Sequence, residues 1–227
     1  APRHDGSGGV QFPIDDALAM QRAAAQNFLA QEPDGIAMFN FPCRLAEGLN
    51  IMHEDSGSFE KTVAVLSEMG SLRTLSRTNK HYTFYNELPI YVESNRPRQY
   101  HQTIPFAIRG KDIRHGTATL RYRQIAEKNP HADASFEQNP IVKPGWMKVY
   151  LNDTEIPEET LTKTREAGGR LQSGFKIKRH EVVEFGVPGR QLRDGVNTLA
   201  FEIQRFPGPR DPYIYIYDFT VDVTFDE

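Results

Sequence analysis

Phe185-Gly186-Val187-Pro188 and, after a short polar break, Leu192-Arg193-Asp194-Gly195-Val196-Asn197-Thr198-Leu199-Ala200-Phe201-Glu202-Ile203 decide the fold. Two apolar runs flank a polar turn containing Asp-Gly, a pattern that predicts two β-strands joined by a tight reversal. Within the second run Leu199, Phe201 and Ile203 form one inward parity, and Thr198, Ala200 and Glu202 the outward one, with water as the expected partner of Glu202. Gly195 is expected at a positive φ. Toward the C-terminus, Asp211-Pro212 makes another turn before the run Tyr213 to Phe225. Its odd positions are Tyr213, Tyr215, Tyr217, Phe219, Val221, Val223 and Phe225, which predicts a half-buried strand with its tyrosines on the inner face.

Toward the N-terminus, Lys80 to Asn86, Leu88 to Glu93, Gln102 to Arg109, Thr117 to Gln124 and Met147 to Leu151 are short, β-prone and bounded by Asn, Gly or Pro. Many strands and few helices predict a sandwich. Residues 126–144 and 157–174 are polar and read as long loops, with Glu158 to Ala167 a short surface helix as the alternative.

The first third has another character. Ala1 to Phe12 reads as a loop, and its glycines lack the Lys-Ser/Thr of a phosphate loop. Pro13-Ile14-Asp15-Asp16 starts a helix that continues through Ala17 to Ala30. Leu18, Ala25 and Leu29 form its apolar face, with Ala17, Ala24 and Phe28 beside them, while Arg22, Gln26 and Asn27 are expected nearer solvent. Gln21 falls inside the apolar face without a reason. Ile36 to Phe41 reads as a buried, parallel-type strand and Ser58 to Met69 as a second helix. One parallel strand and two helices cannot close a (β/α) barrel, which needs ~200 residues or more. The fold class expected is therefore α+β: a mainly antiparallel β-sandwich of the jelly-roll type over 80–227, preceded by a partial α/β segment over 1–79.

The quoted motif carries a resemblance. A strand ending in Val-Pro, then Leu-x-x-Gly-x-Asn-x-Leu, then a strand with Tyr217-Asp218-Phe219-x-Val221-x-Val223, resembles the galactose-binding-like jelly rolls appended to many glycoside hydrolases. Trp146 to Asp153, a strand running into an Asn-containing turn, fits the same pattern. The Ala-rich helix, Asp34-Gly35-Ile36 and Phe39-Asn40-Phe41 are similar to the last helix-to-strand step of a glycoside hydrolase barrel. The resemblance implies the C-terminal part of a secreted or periplasmic carbohydrate-active enzyme, joined to an upstream catalytic domain, although the sequence leaves a cytoplasmic location open too. The alternative is a non-catalytic carbohydrate-binding or structural sandwich.

Composition fits an ordinary soluble chain of 227 residues, and a net charge of −3 gives no general attraction to nucleic acid or an anionic membrane. No run approaches the ~20 apolar residues of a membrane span. The arginines Arg96, Arg98, Arg109, Arg114, Arg121 and Arg123 read as outer strand faces. Cys43, the only cysteine, lacks a placed His and acid partner and reads as an inert thiol. No cofactor is implied, and no spacing of a metal site is present.

The candidate ligand-binding residues are Asn40, His53, Glu54, Tyr100 and Trp146. Asn40 lies at the carboxyl end of the barrel-like strand, where such folds place functional groups, though a buried Asn closing a loop reads the same way. His53 and Glu54 follow it, with Asp55, in a stretch that also reads as solvated loop. Sugar sites stack an aromatic ring on a pyranose face and bond its hydroxyls with polar side chains. Trp146, Tyr82, Tyr85 and Tyr100 are candidates for that ring, each with the core as its competing place.

Overall fold

The computed structural model describes residues 3–4, 10–11, 14–32, 64–84, 88, 90–92, 101–127, 142, 144–167, 179–204 and 213–226. The predicted strand Ile36 to Phe41 lies outside them. Strands β1 (Arg3–His4) and β2 (Val10–Gln11) form a small antiparallel pair, where the sequence suggested only loop. Helix α1 spans Ile14–Leu29, with Asp15 and Asp16 in the first turn, where carboxylates favour the helix dipole. Residues 64–68 are helical, within the second helix expected from the sequence, and a short helix follows at Leu72–Leu75.

Ten further strands follow: β3 Lys80–Thr83, β4 Ile90–Val92, β5 His101–Ile108, β6 Thr117–Glu127, β7 Met147–Leu151, β8 Thr154–Ile156, β9 Thr162–Ala167, β10 Arg179–Pro188, β11 Gly195–Ile203 and β12 Tyr213–Thr224. They make two antiparallel sheets. The larger runs β3-β12-β6-β10-β9 with β4 also on β12, and the smaller runs β5-β11-β7-β8. The protein is thus α+β and mainly an antiparallel β-sandwich. Its main core joins Leu120, Tyr122, Val183, Phe185, Phe219 and Val221 of the larger sheet to Ile104, Phe106, Val149, Leu199 and Phe201 of the smaller. Edge-on aromatic contacts cross between the layers, with Phe106 5.0 Å from Phe219 and Tyr122 5.0 Å from Phe201.

The decisive stretch folds differently from a hairpin. β10 pairs with β6 and β9, whereas β11 pairs with β5 and β7, so the two strands belong to opposite sheets. A 3-10 turn at Gly189–Gln191 makes the corner between the layers, with the Gly189 N–H donating to the Gly116 carbonyl at 2.8 Å. Gly195 has φ +116, and nothing lies within 4 Å of where its Cβ would be, so backbone conformation rather than space favours glycine.

The parity of β11 is as expected: Leu199 and Phe201 are fully buried, and Glu202 points outward. Glu202 has protein partners, however, since it accepts from Gln204 Nε2 at 2.7 Å and Tyr150 Oη at 3.3 Å. Leu199→Ala should therefore cost about 2 to 5 kcal/mol, and Glu202→Gln less than about 0.5 kcal/mol. Thermal melts check the register, and a larger loss for Glu202→Gln would put β11 one residue out of phase.

The last strand departs from strict alternation. Its register against β6 shifts between Ile216 and Asp218, leaving Tyr217 as an extra residue. Ile214 and Ile216 then face the main core together with Phe219, Val221 and Val223, while Tyr215 packs with Ile125 and Tyr217 in a separate cluster. Tyr215 and Tyr217 are therefore off the inner face, because the bulge lets both isoleucines and the following Phe and Val residues turn inward.

Glu158 to Ala167 is a 3-10 turn, Glu158–Thr160, followed by the edge strand β9, and not a surface helix. Thr162, Lys163, Thr164, Arg165 and Glu166 offer no apolar alternation, as befits a sheet edge. Pairing to β10 makes them a strand. β7 and β8 turn through Asn152 (φ 50) and Asp153 (φ 68), the two positive values of a type I′ hairpin.

Candidate functional site

Helix α1 is keyed to the sandwich by side chains that the sequence placed in solvent. Gln26 is 1% exposed and donates through Nε2 to the Arg109 carbonyl (2.7 Å) and Asp112 Oδ1 (3.1 Å). Asn27 donates to the Ala107 carbonyl (2.9 Å) and accepts from the Arg109 N–H (2.8 Å), so its amide acts as a neighbouring strand at the end of β5. Phe28, expected beside the apolar face, is 60% exposed. The other side of α1 packs Leu18 and Ala25 on Val65, Met69 and Leu75, with Arg22 bonded to both oxygens of Glu68.

Beneath α1, Asp112 Oδ2 accepts from the Arg77 N–H (3.0 Å) and from Lys80 Nζ (3.4 Å). The Lys80 ammonium also donates to the Thr78 carbonyl at 2.8 Å and lies 5.0 Å from the centre of the Phe225 ring. Burial pushes the Lys80 pKa down, and Asp112 opposes that shift. Burial, with Asp112 adding to it, holds the Tyr82 phenol well above its ordinary range. Tyr82 and Lys80 are both buried, which places this network in the structure of the α1 joint.

The outer face of the larger sheet is a band of paired charges. Arg121 meets Glu184 at 2.6 Å, and His81 Nδ1 lies 2.5 Å from Asp222. Arg123 reaches Asp218 and, at 3.7 Å, Glu166, which also lies 3.2 Å from His180 Nε2. Tyr215 and Ile125 are buried beside this band. Arg121 and Arg123 each face a carboxylate across a strand pair, an arrangement that stabilises the sheet.

The outer face of the smaller sheet is composed differently. Register puts His101, Glu202 and Lys148 in one row across β5, β11 and β7. The next row is Thr103, Ala200, Tyr150 and Glu155. Met147, Val149 and Leu151 alternate inward, which turns Lys148 and Tyr150 out. Tyr150 is half-buried, and the His101 ring is tilted 43° to it at 6.4 Å. Partial desolvation and the Glu202 carboxylate raise the Tyr150 pKa. Lys148 pairs with Glu155 at 2.9 Å, a hydrogen bond that raises its pKa. This is an aromatic ring set among accessible donors and acceptors.

Of the residues chosen from sequence, Asn40, His53, Glu54 and Tyr100 lie outside the described residues, as do Cys43 and Tyr85. Trp146 is described: it is half-buried and packs against the main core, and its carbonyl accepts from the Gln204 N–H at 2.8 Å. The structure thereby brings Trp146 next to the Glu202 and Gln204 end of β11. Tyr150 was missed as a ring candidate, although its parity with Lys148 in the strand Met147–Leu151 was the available signal. Among the described residues no group of three or more His, Cys, Asp or Glu could hold a metal ion, and no helix is long and apolar enough to cross a membrane.

Fold and surface together define a β-sandwich with a helix keyed to one edge and a polar, aromatic-bearing outer sheet face. In comparisons with known proteins, no family model and no curated protein matches the chain.

Proposed function

We propose that the chain is the C-terminal part of a carbohydrate-active enzyme of the glycoside hydrolase type, its sandwich serving as an accessory domain. The observation that carries this reading is the joint between α1 and the sandwich. Gln26 and Asn27 bond the backbone of the β5 end directly, and Ala23 of the same helix belongs to the main core. An accessory domain that braces a neighbouring α/β domain needs such a fixed joint, because a flexible linker would transmit no restraint. The resemblance of the Leu192 to Leu199 motif supports the same reading, since Gly195 and Asn197 both hold the corner where β11 begins. The catalytic carboxylate pair belongs, on this reading, to the upstream domain.

The test is to sequence the full transcript and assay its product beside the 227-residue chain on aryl glycosides. Upstream βα units, with turnover only in the longer protein, support the reading. A frame opening at Ala1 favours a free-standing binding or structural sandwich, and turnover by the short chain itself overturns the accessory role.

A further inference from the structure

The outward rows of β5, β11 and β7 combine features that the other polar surfaces separate. On the larger sheet Arg121, Arg123 and His81 are each engaged with carboxylates, and Tyr215 is only 6% exposed. At the α1 joint the Lys80 side chain is fully buried. On the smaller sheet Lys148 is likewise paired, with Glu155, but the exposed side chains of His101, Lys148 and Glu202 (46%, 40% and 33%) surround a tyrosine, Tyr150, that is only half-buried. Ala200 lies between Thr103 and Tyr150 in the cross-strand row, so the position beside the ring carries only a methyl group.

Glu202 is the centre of this surface. One carboxylate oxygen accepts from Gln204 Nε2 and the other from Tyr150 Oη, and His101 Nδ1 stands 3.9 Å away. Two donors fix the carboxylate in place and leave acceptor capacity free, since each carboxylate oxygen accepts more than one hydrogen bond. The ligand chemistry follows from three properties. A phenol ring offers an apolar surface for the C–H face of a pyranose. The fixed acceptor and the Lys148 and His101 donors match vicinal hydroxyls. Lys148 and Glu155 offset each other and Glu202 remains, so the patch gives no attraction to a polyanion.

We propose that this face binds a neutral oligosaccharide, with one pyranose stacked on Tyr150 and its hydroxyls held by Glu202, His101 and Lys148. Neighbouring strands lie about 4.8 Å apart, so contacts from β5 to β7 span roughly 10 Å, the reach of about two linked rings. The proposal deepens the carbohydrate reading above by naming a site and a ligand class, and rests on it. It gives the accessory domain a means of holding polymer beside a catalytic neighbour.

The experiment is affinity electrophoresis of the purified chain in gels containing soluble β-glucan, xylan, galactomannan, galactan or polygalacturonate. Titration calorimetry with the matching oligosaccharides gives the affinities. Retardation by at least one neutral polymer is expected, with Tyr150→Ala weakening it roughly tenfold. Glu202→Gln is expected to weaken binding several-fold while leaving the melting temperature unchanged, and Tyr217→Phe on the opposite sheet should bind as the parent does. If a neutral polymer binds equally well to the parent and to folded Tyr150→Ala, this face is not the site, although the accessory reading stands. Preference for polygalacturonate overturns the neutral-ligand assignment. No retardation by any polymer overturns the binding face, while the transcript and turnover assay judge the accessory role independently.

Discussion

Asn197→Ala is expected to lower stability by about 4 kcal/mol or more, because a fully buried amide and several backbone groups around it lose hydrogen bonds at ~1 to 3 kcal/mol each. The Asn197 side chain is fully buried at the start of β11, and its amide bonds in every direction. Oδ1 accepts from the Arg193 N–H (2.7 Å) and from Asn152 Nδ2 (2.9 Å). Nδ2 donates to the carbonyls of Arg193 (2.9 Å) and Gly195 (3.1 Å). Asn152 in turn donates to the Gln191 carbonyl and accepts from the Thr198 N–H, so one residue ties the sheet-to-sheet corner to the β7–β8 hairpin. Alanine removes both halves of the amide, so the Arg193 N–H and the Arg193 and Gly195 carbonyls lose these bonds, while Asn152 Nδ2 keeps only the Gln191 carbonyl. Denaturant titration measures the loss, and Val196→Ser, at a neighbouring position 60% exposed, serves as the control expected within about 0.5 kcal/mol. A loss below about 1 kcal/mol for Asn197→Ala would mean that the corner holds without this hub.

Gly189→Ala is expected to be comparably damaging, about 3 kcal/mol or more, for a steric rather than a polar reason. A Cβ at Gly189 would fall well inside contact with the Ile113 carbonyl oxygen and 2.8 Å from that of Gly116. Both obstacles are backbone, so no side-chain rotation relieves them. The Gly116 carbonyl also accepts the Gly189 N–H, which means that moving the chain apart breaks the bond holding the corner to the Lys111–His115 turn. Gly186→Ala is the matched control: it lies nearby in β10, is exposed, and has nothing within 4 Å of its Cβ direction. That change should be neutral or slightly stabilising, through the lost freedom of the unfolded chain. Equal melting temperatures for the two variants would refute the corner geometry.

The sequence alone determined the elements whose signal is local. Met147 to Leu151 is a strand with the predicted bounds, α1 covers the predicted helix apart from its end, and the inward set Leu199, Phe201 and Ile203 is buried as its parity requires. Strand alternation and helix composition are properties of neighbours in the chain, so they are written there. Tertiary structure decided the rest. Which sheet a strand joins depends on distant partners, and so β10 and β11 read as one reversal but belong to different layers. The bulge at Tyr217 puts Tyr215 off the inner face, because filling the core with Ile214, Ile216 and Phe219 outweighs regular alternation. β9 became a strand through the open edge of β10, with no apolar pattern of its own. Gln26 and Asn27 left the expected solvent face of α1 because the backbone of Ala107 and Arg109 at the end of β5 supplied their hydrogen-bond partners, groups 80 or more residues away that no local pattern can announce. The same holds for the candidate face: Tyr150, Glu202 and His101 are far apart in sequence and meet only because β7 and β5 both pair with β11.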